Sequence, residues 1–232
     1  SEANLADDPL RLLRVFRLAA QLSAPGDPAR IDPGTLAAVA RLKDRLWASA
    51  PERVHYEFLR MLAYPNAFPP LQAMADCGLL EALIPELADC RRVPPNSHHH
   101  LGLFEHTLEL VRQAELQFPT LPTPARAALS KPVSRFTTGM GVVKLACLLH
   151  DIAKPATWEI KDDGTSGGKH TFYGHEAEGE KVCASIFARW KLPNGPAAMA
   201  RKLVRWHLYP CQFGPDKPRK SVLRFFRRMG DE

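Results

Sequence analysis

Helical periodicity cut into short lengths by proline is the feature that most restricts how this chain folds. In PLRLLRVFRLAAQL (residues 9–22), Leu12, Leu13, Phe16 and Ala20 fall on one face at helical spacing. Arg11, Arg14, Arg17 and Gln21 share the opposite face. Asp8 is placed to cap this helix, with Pro9 at its first position, where no amide donor is needed. Asp32-Pro33 opens a second helix to about Ala48, a third spans roughly 51–63 and stops before Pro65, and short helices are expected at 68–76 and 79–88. After Arg91–Ser97, rich in proline and polar residues, come a helix over about 99–117 and a loop or broken helix over 119–136. A buried helix Val142–Leu149 follows, then helices at about 175–191 and 196–208 and a basic helix from near Pro218. Only Thr157–Ile160 and Lys169–Tyr173, flanking DDGTSGG, read as strands. The expectation is an all-α chain with one short β-hairpin, divided at Arg91–Ser97 into residues 1–92 and 93–232.

Composition narrows the setting. Lys and Arg outnumber Asp and Glu by 31 to 25, which favours a polyanionic partner, nucleic acid before a membrane surface, or else a mildly basic solvated face. The five cysteines are scattered and odd in number, which points to a reducing, cytoplasmic compartment and away from a disulfide framework. No uncharged apolar run reaches the 18 or so residues a membrane span needs. The chain opens Ser1-Glu2-Ala3 without Met, as expected of a fragment or a processed protein. Nothing in it encodes an oligomeric state.

The adjacent pair His150-Asp151 ends a buried helix, and two neighbouring ligands on one turn need partners from elsewhere. His106, His175 and His207 supply them, each inside or at the end of an expected helix and each in apolar or aromatic surroundings (FEHTL, FYGHE, RWHLY). A lone histidine of this kind is usually a hydrogen-bonded core residue; four around one His-Asp pair point to a shared divalent-metal site. The donors are rich in nitrogen with one carboxylate, which admits Mn, Fe, Ni, Co or Zn and disfavours an all-oxygen Mg site.

The order H…HD…H…H resembles the HD superfamily of metal-dependent phosphohydrolases. The resemblance implies that His106, His150 and Asp151 bind the metal together with a late Asp. It gives His175 and His207 to a second metal or to phosphate contacts, and sets Lys154 facing a bound phosphate. The implied chemistry is metal-assisted hydrolysis, with Asp151 as ligand and proton acceptor and a histidine protonating the leaving oxygen. The late Asp has only Asp216 and Asp231 as candidates after His207, so the site is expected to be incomplete or water-completed. The alternative keeps the metal as a scaffold.

Seven segments in order extend the comparison: DDPLRLLR…FRLAAQL, ERVHYE, GLLEALIPEL, HHHLGLFEHTL, LACLLHDIAKPAT, HTFYGHEAEGE and LVRWHLYP. Together they resemble the neck and body of class II tRNA nucleotidyltransferases and bacterial poly(A) polymerases, followed by an HD domain. That resemblance assigns Asp7, Asp8 and Arg11 to reading the incoming base of CTP or ATP. A carboxylate accepts from the exocyclic amino group of cytosine or adenine, and an arginine donates to the ring acceptors. Arg14 and Arg17 continue that face, either toward the triphosphate or a head domain or as solvated charges. The catalytic head, expected to carry Mg, has no counterpart before Asp8, so the chain alone is not expected to add nucleotides. The basic tail Lys217, Arg219, Lys220, Arg224, Arg227 and Arg228 is expected to follow the backbone of tRNA or another RNA 3′ end. Two further readings stay open: a stand-alone HD phosphatase or phosphodiesterase on nucleotides or RNA ends, and a non-catalytic RNA-binding module with a structural metal.

Overall fold

The computed structural model describes residues 2–24, 26–95, 100–162, 164, 168–213 and 219–230, apart from the side chains of Gln212 and Arg228. The described residues form helices α1 (Glu2–Asp7), α2 (Arg11–Leu22), α3 (Pro33–Leu42), α4 (Pro51–Leu62), α5 (Phe68–Asp76), α6 (Leu79–Leu83) and α7 (Leu87–Cys90). Then come α8 (Leu103–Gln117), α9 (Thr123–Ser130), α10 (Gly139–Leu149), α11 (His175–Arg189), α12 (Asn194–Trp206) and α13 (Arg219–Met229). Two antiparallel hairpins interrupt them: β1 (Pro132–Ser134) with β2 (Thr137–Thr138), and β3 (Glu159–Lys161) with β4 (Lys169–Thr171).

Local chemistry sets several of these ends. Asp32 caps α3 by accepting the Thr35 amide at 2.8 Å, and prolines 33 and 51 occupy first-turn positions that lack an amide requirement. The apolar stripe of α2 packs on α4, burying Leu12, Leu13 and Phe16 with Val54, Phe58 and Leu62. Helix α10 runs through the centre against α4, α8 and α12, and α11 packs on α12. One cluster of buried side chains runs from Leu5 to Val204 without a break at Arg91.

Gly141 lets α10 approach α4 closely, because a β-carbon there would sit 3.2 Å from the Ala63 Cα. Beside it, Lys144 is 1% exposed and donates to the Tyr64 carbonyl and to Glu115 Oε1, both at 2.6 Å. The same carboxylate oxygen accepts the amides of Ala67 and Phe68 at the start of α5, at 2.8 and 3.1 Å. Glu115 thereby joins α5, α8 and α10 at one point.

Three expectations need correction. Asp8 does not cap α2, and Pro9 is not its first residue. Asp8 Oδ1 instead accepts the Leu10 amide at 3.3 Å and its carbonyl accepts Arg11, forming a turn that joins α2 to the unforeseen α1. The expected helix to Ala48 ends at Leu42 and tightens into a 3₁₀ segment, Lys43–Ala48. Residues 119–136 hold a regular helix, α9, and the start of a second hairpin whose Phe136 and Thr137 turn inward.

Candidate metal centre

Four helix ends converge on Asp151. His106 lies in the first turn of α8, His150 follows the last residue of α10, His175 begins α11, and His207 follows the last residue of α12. Gly174, at φ 79, makes the left-handed turn from the β3–β4 hairpin into α11, a conformation that suits glycine. The three histidines at these ends share one device. Nδ1 of His150, His175 and His207 lies 2.7–2.8 Å from the carbonyl three residues back, on Cys147, Phe172 and Val204. A carbonyl only accepts, so each Nδ1 carries the proton and each Nε2 is left as the metal-facing atom, the orientation that metal-binding histidines require.

The Nε2 atoms surround both carboxylate oxygens. His150 and His106 approach Asp151 Oδ2 at 2.9 and 3.7 Å; His175 and His207 approach Oδ1 at 3.1 and 3.5 Å. Nε2 of His175 and His207 are 3.3 Å apart. Two ligands on one ion, each about 2.1 Å from it, stand roughly 3.0–3.4 Å apart, so these separations are those of a coordination shell. Among the described residues, two groups can hold an ion, His106 with His150 and Asp151, and Asp151 with His175 and His207. Asp151 bridges them.

Both oxygens of Asp151 are buried, and neither receives a hydrogen bond of good geometry. Lone pairs of imidazole and carboxylate facing one another call for a cation between them. Lys154 Nζ is the cation present, 2.7 Å from Oδ2, and Asp151 holds it rather than the open edge of the site. Burial raises the Asp151 carboxyl, and His150, His175 and His207 hold it well below its usual range when they are protonated at Nε2; with Nε2 bare, a bound cation takes that part. Asp151 and His175 are 2% and 6% exposed at the side chain, whereas His106 and His207 are 23% and 17% exposed, so one edge opens to solvent. Asp216 and Asp231, the candidates for a late ligand, lie outside the described residues, as do Lys217 of the tail and the side chain of Arg228.

The N-terminal candidates gather only in part. Asp8 Oδ2 has three guanidiniums around it at 3.7–3.9 Å, from Arg11, Arg14 and Arg53. Arg11 also donates to the Asn4 carbonyl at 2.9 Å. Arg14 and Arg17 both clasp Glu57, whose side chain is 5% exposed, so Arg17 faces that carboxylate. Asp7 is exposed at the end of α1. Glu57 is the residue that sequence reasoning quoted without giving it a part. Its signal was there: it shares the buried stripe of α4 with Val54, Phe58 and Met61, where a carboxylate needs cationic partners.

A helical bundle with a His/His-Asp/His/His cluster at its helix ends is an HD domain, and residues 103–225 match the family described as "HD domain": the chain belongs to that family. Residues 30–91 match the family described as "Probable RNA and SrmB- binding site of polymerase A". Among curated relatives, an A-adding tRNA nucleotidyltransferase of Deinococcus radiodurans is 30% identical over 97% of this chain and 47% of its own length. A CC-adding tRNA nucleotidyltransferase of Thermus thermophilus is 32% identical over 99% of this chain and 47% of its own. A multifunctional CCA protein of Pseudomonas aeruginosa is 32% identical over 88% and 44%. The chain spans about half the length of the curated relatives it matches. An HD domain implies a divalent metal, and the donor set fits one. No helix among the described residues is long and apolar enough to cross a membrane.

Proposed function

We propose that this chain is part of a tRNA nucleotidyltransferase or poly(A) polymerase-type enzyme, joining an RNA-docking neck and body, residues 1–92, to a metal-dependent HD phosphohydrolase, residues 93–232. The observation that carries the hydrolase is Asp151, one buried carboxylate ringed by four imidazole Nε2 atoms with an open edge at His106 and His207. A purely structural metal site is closed on all sides; a catalytic one keeps a position open. His106, His150, Asp151, His175 and His207 would hold the ion, and their nitrogen-rich set suits Mn, Fe, Ni, Co or Zn. When bound, the ion lowers the pKa of a water and polarises a phosphoryl oxygen.

The chain's own residues do the rest. Asp151 and Lys154 cancel in charge, so a divalent ion leaves the site positive and matched to a phosphate dianion. His150, His175 and His207 each commit Nδ1–H to a carbonyl and would turn Nε2 to the ion, so their part is to hold and orient it, and Asp151 would serve as its bridging ligand. In the neck, Asp8 and Arg11 read the base of CTP or ATP in the whole enzyme, with Arg14 set beside them and Asp7 and Arg17 at the margins. The substrate of the hydrolase is a phosphoester on a nucleotide or RNA end, tRNA before others, in the cytoplasm.

Elemental analysis of the purified chain beside His150→Ala/Asp151→Ala, with phosphatase turnover on the same samples, tests this. Near-stoichiometric metal and turnover are expected in the wild type and lost in the double variant. Metal without turnover would leave the metal a scaffold; a wild type that takes up no metal would refute the centre itself.

A further inference from the structure

The β3–β4 hairpin leaves the metal centre after Lys154 and returns to it at His175, and one of its faces takes no part in the site. Strand pairing sets Glu159 opposite Thr171, Ile160 opposite His170 and Lys161 opposite Lys169. Successive residues therefore alternate between two faces. Trp158, His170 and Phe172 take the inner one: Trp158 Nε1 donates to His170 Nδ1 at 3.2 Å, and Lys154 Nζ lies 5.2 Å from the centre of the Phe172 ring. The other carries Glu159, Lys161, Lys169 and Tyr173, exposed around a buried Thr171.

Three features of that face suit an anionic, aromatic-stacking ligand. Tyr173 is 73% exposed, and Lys161 Nζ sits 5.0 Å from its ring centroid. Lys161 and Lys169 stand directly opposite each other, a like-charge pairing that costs stability unless an anion relieves it. Tyr173 is also only two residues from His175, at most about 7 Å of chain. Exposed Glu159, paired with Thr171, shares the face between the lysine pair and Tyr173 and leaves it a net single positive charge, and Asp162 is turned to the Gly164 amide at 2.9 Å. An exposed aromatic ring beside two cations is what a single nucleic-acid strand needs, a stacking surface for a base and charges for its backbone.

We propose that this face holds the single-stranded 3′ end of an RNA as that end enters the metal centre. Tyr173 stacks against a base, and Lys161 and Lys169 take the phosphates on its 5′ side. This deepens the phosphohydrolase reading, on which it rests, by naming the substrate class as an RNA strand rather than a free nucleotide.

The test uses the full chain, Tyr173→Ala and Lys161→Gln/Lys169→Gln. Binding of a 5′-labelled oligoribonucleotide ending in a 3′-phosphate is followed by fluorescence anisotropy across a salt series. Hydrolysis of that oligonucleotide and of p-nitrophenyl phosphate is measured on the same preparations. Tyr173→Ala is expected to weaken binding about tenfold, from the loss of one base stack. The lysine pair is expected to flatten the dependence of log K on log salt by about 1.4, roughly 0.7 for each phosphate on a single strand. KM for the oligonucleotide should rise in both variants, with turnover of p-nitrophenyl phosphate unchanged. Affinity and salt slope equal to the wild type would overturn the proposal, and so would an equal loss on both substrates. A wild type that hydrolyses neither substrate, yet loses RNA binding in these variants, would sink the phosphohydrolase reading and leave the hairpin's role standing.

Discussion

Replacing Lys144 by methionine tests whether the buried ion pair at Glu115 holds the bundle together. Lys144 is 1% exposed and Glu115 11%, so water does little to screen their contact at 2.6 Å. Burial pushes the Lys144 ammonium down while Glu115 pulls it back up, and the net direction is down. Methionine keeps most of the side-chain volume but strands the Tyr64 carbonyl and leaves the Glu115 charge without its cation. Breaking one side of a buried pair costs about 3–5 kcal/mol. The amides of Ala67 and Phe68 still hold the carboxylate, so the loss should fall near the low end, about 3 kcal/mol. For a chain of this size that lowers Tm by roughly 6–12 °C.

Glu115→Gln keeps an oxygen for both amides, so the double variant Lys144→Met/Glu115→Gln removes both charges and should lose only about 1 kcal/mol. Urea unfolding followed by tryptophan fluorescence gives the four corners of the cycle. A single variant costing less than about 1 kcal/mol, or a double variant equal to the sum of the singles, would refute the reasoning.

Gly141→Ala should destabilise by about 1–2 kcal/mol in the same assay despite the better helix propensity of alanine. Its β-carbon meets the Ala63 backbone at 3.2–3.3 Å and also the Thr137 hydroxyl, and backbone cannot move aside cheaply. His55 tests pH dependence. Its Nδ1 donates to the Trp190 carbonyl at 2.8 Å and its ring lies against Phe136, and burial lowers its pKa from 6.5 against the pull of that hydrogen bond. The unfolded chain therefore binds the proton more readily, so stability is complete above pH 6.5 and falls as the pH drops toward the folded value. His55→Asn, which keeps a donor near Nδ1, should flatten the urea midpoint between pH 6.5 and 5; an unchanged acid slope would count against it.

Sequence made the helices visible wherever apolar spacing was clear, as at α2 and α4, and proline marked the starts of α3 and α4 but not of α2. It also singled out the histidines and Asp151 that the fold brings together, because ligand chemistry is carried by residue type and the resemblance supplied their order. It could not show the device that aims them. The Nδ1 bonds to carbonyls three residues back depend on the backbone just past each helix end, which residue types do not specify. The second hairpin was illegible for a similar reason: β1 and β2 total only a few residues, too short for alternation to emerge. A lysine inside GMGVVKLACLL announces that it needs an acceptor, yet nothing in that run says the acceptor is Glu115.

That distant partner bears on the metal centre itself. Helices α8 and α10 run antiparallel, since His106 at the start of α8 meets Asp151 just past the end of α10, while Glu115 near the end of α8 meets Lys144 nearer the start of α10. The two contacts lie about two helical turns apart along each helix, roughly 10–13 Å. Two tethers on a pair of antiparallel helices fix how far one can slide along the other. A change of one residue in register would move His106 by about 1.5 Å, more than a coordination bond tolerates. The ion pair that looks like a purely structural feature of the bundle therefore also sets where one of the four imidazoles stands, and Glu115, through its hold on the start of α5, ties that position to the helices of residues 30–91.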